Sequence, residues 1–162
     1  MHEILKNIKG FSRVQITEDS PTGEVKVVGD SGMVGPNQIT NLGFLNYLVK
    51  LLGASAGSKQ VGFVALGTGS APNASHVVLN GEIMASTQRK AVTFGSSGST
   101  TAQFTATFAS SDSFLSAAAN LSNIGLFAAA TSDDTLFAGN TFASSSCATN
   151  QNVNVTYQIR FS

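Results

Sequence analysis

The residues of this chain that could do chemistry are few and far apart. The histidines are His2 and His76, and Cys147 is the single cysteine. A catalytic triad needs a histidine between a nucleophile and an acid, and His76 is followed by the apolar run 77–79, so we expect it at the edge of a loop or short strand. Cys147 has no histidine near it in sequence, which argues against a nucleophile. One cysteine and two distant histidines also argue against a zinc site.

The adjacent acids Asp133 and Asp134 are the next candidates. Neighbouring residues on a strand point to opposite faces, so these two carboxylates do not form an acid–base pair across a substrate. Ser132 and Thr135 beside them predict a solvated turn. The Gly-Thr-Gly of residues 67–69 lacks the third glycine, the helix and the lysine of a phosphate-binding loop, and predicts a tight turn after a strand. We therefore predict no catalytic residue, metal site or cofactor.

Glu82 and Arg89 lie seven residues apart in a region with few charges. One interpretation is an ion pair that orders the intervening loop. The other is two exposed charges whose interaction contributes less than about 1 kcal/mol. The sequence leaves both open.

The composition constrains the partners more than the chemistry. Charged residues make up 11% of the chain and the formal net charge is zero, whereas soluble domains average about 25% charged residues. Nucleic-acid binding relies on clustered lysine and arginine, which this balance disfavours. No apolar run approaches the ~20 residues of a membrane helix, and the first ten residues do not resemble a secretory signal. We expect a protein made in a cytoplasm that tends to self-associate.

One amphipathic helix is predicted at about residues 38–52. Apolar residues recur there at spacings of three and four, and Asn37 or Thr40 can cap the start. Gly53 follows at a position where a helix would stop. The apolar positions are Ile39, Leu42, Leu45, Leu48 and Leu52. This face is expected to pack on a sheet.

After the helix the pattern changes to the two-residue period of β-strands. The last segment is the clearest, because residues 152–161 alternate polar and apolar without a miss. Gly/Ser-rich turns separate the strands, which favours antiparallel sheets over βαβ units. The predicted strands are Gln60–Leu66, Gln88–Phe94, Thr101–Phe108, Ser122–Ala128, Leu136–Phe142 and Asn152–Phe161. We predict an all-β, antiparallel β-sandwich, jelly-roll-like, with this one helix.

The first part of the chain has a different character. Residues 1–35 carry much of the charge, and Phe11–Thr17 alternates weakly. Glu24–Val28 could pair with that segment across the turn residues 20–23. We predict an N-terminal arm or hairpin over 1–35 and the β-sandwich domain over 36–162.

The order of these pieces resembles a known group of proteins. The carrying segments are 39–43 and 51–53 of the helix region, Val64–Pro72, Leu79–Glu82, Phe104–Phe108, Ile124–Phe127, Thr135–Ala138, Thr141–Phe142 and Val155–Phe161. Together they are similar to small β-sandwich structural proteins of tailed-bacteriophage virions, over about residues 38–162. The resemblance implies a non-enzymatic role, as a capsid decoration (cement) protein or a tail component, and a virion location.

The expected partners follow from that role. A decoration protein would bind the major capsid protein or other virion proteins, and symmetric lattices favour dimers or trimers. The residues predicted to make such contacts are Phe11, Arg13, Val25, Val27 and Phe127. Phe127 lies on the face opposite Ile124 and Leu126 on its strand, so that face is either covered by the helix or a second sheet, or is part of an interface.

Two alternatives stay open at this point. Within the same class, the protein could belong to a tail, baseplate or fibre. From a different class, a β-sandwich can carry a glycan or host-surface site. A sugar site usually uses an exposed aromatic platform, but the chain has no tryptophan, and Tyr47 and Tyr157 fall on apolar faces.

Overall fold

The computed structural model describes residues 8–50, 53, 59–83, 89–131 and 134–161. Two antiparallel sheets of five strands each contain about half of them. Their strands are β1 (Ile8–Asp19), β2 (Val25–Asp30), β3 (Gln38–Ile39), β4 (Phe63–Gly67), β5 (Lys90–Ala91), β6 (Thr93–Ser96), β7 (Thr101–Phe108), β8 (Ala119–Phe127), β9 (Ala138–Cys147) and β10 (Asn152–Phe161). The predicted all-β sandwich is confirmed; its jelly-roll connectivity stays a prediction.

The first sheet has the strand order β2-β1-β10-β7-β6. The N-terminal hairpin β1–β2 is part of this sheet, because β1 pairs with β10 over ten positions, from Ile8 opposite Phe161 to Thr17 opposite Asn152. β10 in turn pairs with β7 over eight positions. Ten strictly alternating residues fix the register of β10, since a slip of one residue would bury its polar side chains.

The second sheet has the order β3-β9-β8-β4-β5. The shortest connection between the two sheets is a single residue: β5 pairs with β4, and β6, which begins one residue after β5, pairs with β7 in the first sheet. Val92 occupies this crossing, and its amide donates to the carbonyl of Gly62 at 3.0 Å. The predicted single strand 88–94 is therefore two short strands in different sheets.

The main core lies between the two sheets. Val14, Ile16 and Val155 contribute from the first sheet, and Leu66 and Ile124 from the second, all nearly or fully buried. A smaller cluster lies on the other side of the second sheet, where loops cover Ala65, Leu79, Phe127 and Leu136. This second layer explains why both faces of β4 and β8 are apolar.

The helix begins three residues later than predicted. It begins at Asn41 with one α-helical turn (Asn41–Gly43), continues as a π-helix (Phe44–Val49), and follows Thr40, whose Oγ1 accepts from the Gly43 amide at 2.9 Å. Gln38 and Ile39, expected inside the helix, form β3 and pair with Gly139 and Ala138. The predicted end at 52 falls outside the described residues.

The buried face of the helix also differs from the predicted one. Leu45, expected on the packed face, is 49% exposed, whereas Tyr47 is buried. The ring of Tyr47 packs against Phe137 with their centroids 4.8 Å apart. The buried residues Thr40, Gly43 and Tyr47 and the half-buried Phe44 and Leu48 still recur at spacings of three and four, so the predicted face is displaced by about one residue.

Candidate functional site

The outer face of the first sheet is the candidate functional surface. Alternate residues of β1, β7 and β10 point into the core, so the residues between them point outwards. Most of the outward side chains on β1, β6, β7 and β10 are hydroxyls and amides. They are Gln15, Thr17, Thr93, Thr101, Gln103, Thr105, Thr107, Asn152, Asn154, Thr156 and Gln158.

Cross-strand hydrogen bonds hold these polar side chains in place. Gln158 donates to the side-chain carbonyl of Gln103 at 2.7 Å, and the Thr107 hydroxyl donates to Asn154 at 2.8 Å. The pairs Gln158–Gln103 and Asn154–Thr107 are directly opposite each other in the register of β10 and β7. Such pairs stabilise a sheet and restrict side-chain motion. The surface is therefore ordered before any partner arrives.

An arginine–aromatic stack occupies one end of this surface. The Arg160 guanidinium lies over the Phe11 ring at 4.1 Å from its centroid, and its Nε donates to the Gln158 side chain at 3.0 Å. The contact fixes a long, exposed cation above an aromatic ring on the neighbouring strand. Phe11 is thereby half-buried and remains part of the surface.

A second arginine is paired on the same face. Arg13 Nε donates to Asp30 Oδ1 at 3.0 Å, and its terminal nitrogen contacts Oδ2 at 2.5 Å. The hydrogen bond from Arg13 holds the pKa of the Asp30 carboxyl well below its usual range, with help from Gly32 and Gln15. Both side chains are solvent-accessible, so the pair orders β1 and β2 locally but contributes little to stability.

Two valines complete the surface at its β2 edge. Val25 is 63% exposed and Val27 is 51% exposed. Their partners in the register are Asp19 and Thr17, which share the outer face. The structure thus brings four of the predicted contact residues, Phe11, Arg13, Val25 and Val27, onto one face.

Phe127, the fifth predicted contact residue, lies elsewhere and is fully buried. Leu79 and Leu136 pack around it, and the Arg89 guanidinium lies 3.3 Å from the centroid of its ring. The face is covered within the fold, but neither predicted alternative describes the cover. The cover comes from loops and an arginine, not from the helix or the other sheet.

Arg89 and Glu82 form the predicted ion pair, and it is buried. Arg89 Nε donates to Glu82 Oε1 at 2.7 Å, and the second contact, to Oε2, is 3.1 Å. The same guanidinium donates to the carbonyl of Thr131 at 2.6 Å and to that of Ala129 at 3.3 Å. Only 1% of the Arg89 side chain is exposed. The alternative of two solvated charges is wrong.

Asp134 was expected in a solvated turn, and this expectation is wrong. The residue is buried and accepts hydrogen bonds from the Ala129 amide at 3.0 Å, the Ala128 amide at 2.5 Å and the Tyr47 hydroxyl at 3.1 Å. Lys59 forms a salt bridge with its other oxygen. Burial alone would raise the pKa of Asp134, but the hydrogen bonds from Lys59 and the two amides outweigh it and lower the pKa. Asp133 lies outside the described residues.

The remaining chemical candidates are separated from one another. His76 sits in a loop and accepts through Nδ1 from the Asn73 amide at 3.3 Å. Cys147 is fully buried in the core, and burial raises the pKa of its thiol to about 11. Gly67 ends β4 and bridges to Glu82, and the loop after it turns back on residues 80–81. His2 lies outside the described residues, which contain no cluster of three metal-binding side chains.

Sequence reasoning missed the outer face as a unit. Its strands were predicted separately, but nothing in the alternating pattern shows that β1 pairs with β10, on which the shared surface depends. It also missed Phe94 and Phe161, which are 65% and 41% exposed although both fall on apolar strand faces. The alternating pattern of a strand does not distinguish an apolar residue at the open end of a sandwich from one at its centre.

Comparison with known proteins adds no assignment, because no family model, curated protein or solved structure matches the chain. No helix in the described part of the chain is long and apolar enough to span a membrane.

Proposed function

We propose that this protein is a non-enzymatic structural component of a tailed-bacteriophage virion, a decoration protein that binds the outer capsid lattice and stabilises it. The observation that carries the proposal is the outer face of the first sheet, which is ordered and hydroxyl-rich and has an apolar edge. The resemblance of residues 38–162 to virion proteins supplies the biological setting.

The order of this face favours binding. Side chains that are already fixed by neighbours, such as Gln158 and Arg160, lose little conformational freedom when a partner covers them. Val25 and Val27 provide apolar area at the edge. Shape and area, more than charge, would then determine affinity, so binding should respond weakly to salt.

The charges on this face are nevertheless placed unevenly. Lys9 and Arg160 are neighbours at one end of β1, and Asp19 lies at the other, about 33 Å away at the rise of an extended strand. A lattice partner with the opposite order of charges would therefore bind in one orientation only. The protein would act as a symmetric oligomer, since repeated lattice sites favour dimers or trimers.

The decisive experiment mixes the purified protein with capsids that lack it and, separately, with free coat subunits. Sedimentation should show binding to assembled capsids but not to free subunits. The variant Val25→Ser/Val27→Ser should reduce binding, because it removes the apolar edge. The matched control is Val77→Ser/Val78→Ser, since these valines are 44% and 49% exposed and lie in a loop beside the second sheet.

Three outcomes would overturn the proposal. One is no binding to capsids. Another is equal loss of binding in both double variants. The third is a location in the tail, baseplate or fibre when the parent particle is imaged by electron microscopy.

A further inference from the structure

An apolar cleft opens at the end of the sandwich beside the helix. Its volume is about 470 Å³, within the range of small-molecule sites. Ala102, Phe104 and Ile159 form one wall, from the first sheet, and Tyr47 and Phe137 form the opposite wall. Since the two walls belong to different layers, the cleft is a continuation of the space between the sheets that the core does not fill.

Two phenylalanines at this cleft are exposed. Phe94 packs against Phe104 with ring centroids 5.6 Å apart, yet 65% of Phe94 is accessible, and Phe161 is 41% accessible. Aromatic side chains left in water cost roughly 25 cal/mol for each Å² of apolar surface. Because these rings adjoin the cleft, the exposed apolar surface is concave, which suits an inserted chain better than a flat protein surface.

Lys59 is the one charged side chain among the described residues that line the cleft. It forms a salt bridge with Asp134, whose carboxylate also accepts hydrogen bonds from Tyr47, Ala128 and Ala129. Asp134 thus does not depend on Lys59 alone. An ammonium group has three N–H donors, so Lys59 can bind an anionic group at the cleft while it still contacts Asp134.

We infer that this cleft binds a single-chain alkyl carboxylate, with the chain between Phe104 and Phe137 and the carboxylate at Lys59. Lys59 donates hydrogen bonds to the head group, and the aromatic walls contact the chain. The inference goes beyond the proposed function and does not depend on it, because a decoration protein needs no ligand.

Calorimetric titration with octanoate, decanoate and dodecanoate tests the inference directly. We expect saturable binding of one ligand per chain, with affinity rising about fourfold for each added methylene, as expected for burial of a CH₂ group. Decan-1-ol in place of decanoate separates the contribution of the chain from that of the head group. Absence of saturable binding with all three carboxylates would overturn the inference.

Two variants test the assigned positions. Lys59→Gln should weaken decanoate binding by about ten- to a hundredfold, the loss expected for a hydrogen bond to a charged group, and leave decan-1-ol binding unchanged. Its matched control is Lys90→Gln, because Lys90 also pairs with an aspartate and has similar exposure, 36% against 32%. Ala102→Leu should abolish binding of both ligands by filling the cleft.

Thermal unfolding checks that each variant is folded, and if Ala102→Leu does not fold, Lys59→Gln and the chain-length series still decide. Equal decanoate affinity in wild type and Lys59→Gln would overturn the inference. So would a folded Ala102→Leu variant that binds normally. Co-sedimentation with phosphatidylglycerol vesicles tests whether the alkyl chain comes from a membrane lipid or from a free carboxylate. Binding to vesicles without binding to free decanoate would also overturn the inference.

Discussion

At the scale of single residues, the buried Arg89–Glu82 pair makes the sharpest prediction. Arg89→Met removes the cation and leaves Glu82 and the carbonyl of Thr131 without their donor. Breaking a buried pair by removing one partner costs about 3–5 kcal/mol. Urea unfolding should show this loss. The comparison variant is Arg13→Met, which breaks a solvent-accessible pair and should be nearly neutral; equal effects of the two substitutions would refute the role of burial.

The lowered pKa of Asp134 predicts that the stability of the protein depends on pH. Its pKa is lower in the folded protein than in the unfolded chain, so its contribution is complete above the unfolded value, about 3.9, and is lost as pH falls through the folded value. Asp134→Asn should therefore destabilise the protein at pH 7, and its difference from wild type should shrink towards pH 3. Urea unfolding at both pH values measures this difference, and a difference that stays constant would contradict the prediction.

At the scale of elements, Gly43 links the helix to the sheet. A Cβ added there would lie 2.2 Å from the carbonyl oxygen of Phe137, although alanine is the better helix former. We expect Gly43→Ala to cost about 1–3 kcal/mol, the usual cost of overpacking. Gly95→Ala is the comparison, because Gly95 lies on β6 with nothing within 4 Å of the added atom. Chemical denaturation of both variants measures the effect, and a stabilised Gly43→Ala would show that the helix can move away.

The elements also show how far the sequence predicts the fold. The strands Thr101–Phe108 and Asn152–Phe161 have the predicted bounds, because each has one buried and one solvated face and the alternation records this directly. The predicted bounds of β4 and β8 are less exact, because loops cover the second face of these strands and the alternation is weaker there. The helix bounds depend on contacts with β9 and the Phe137 carbonyl, which are distant in sequence.

The candidate surface was predictable only in part. Phe11, Arg13, Val25 and Val27 could be proposed because they lie in a short hairpin with turn residues between its strands. Their joint position with Arg160 depends on a pairing between the two ends of the chain, which no local pattern encodes. The burial of Phe127 depends on Arg89, a charged residue that a hydrophobicity pattern would place in solvent.

At the scale of the whole molecule, the rate at which the Cys147 thiol is labelled should measure global unfolding. The thiol is fully buried in the main core and its pKa is raised to about 11, so both access and thiolate content are low in the folded state. We expect a disulfide reagent to label the native protein orders of magnitude more slowly than the protein in urea. The labelling rate should follow the free energy of unfolding across the Arg89 and Gly43 variants. Fast labelling of the native protein would mean that β9 opens locally.

The pairing of β1 with β10 also decides when each half of the sandwich can form during synthesis. All strands of the second sheet have left the ribosome once Cys147 has emerged, whereas β1 waits for a neighbour that is translated more than a hundred residues after it. During that interval β1 has β2 on one side and an unsatisfied edge on the other. Nascent chains would then be most vulnerable to aggregation just before translation reaches β10, which makes the final strand the one whose arrival protects the first.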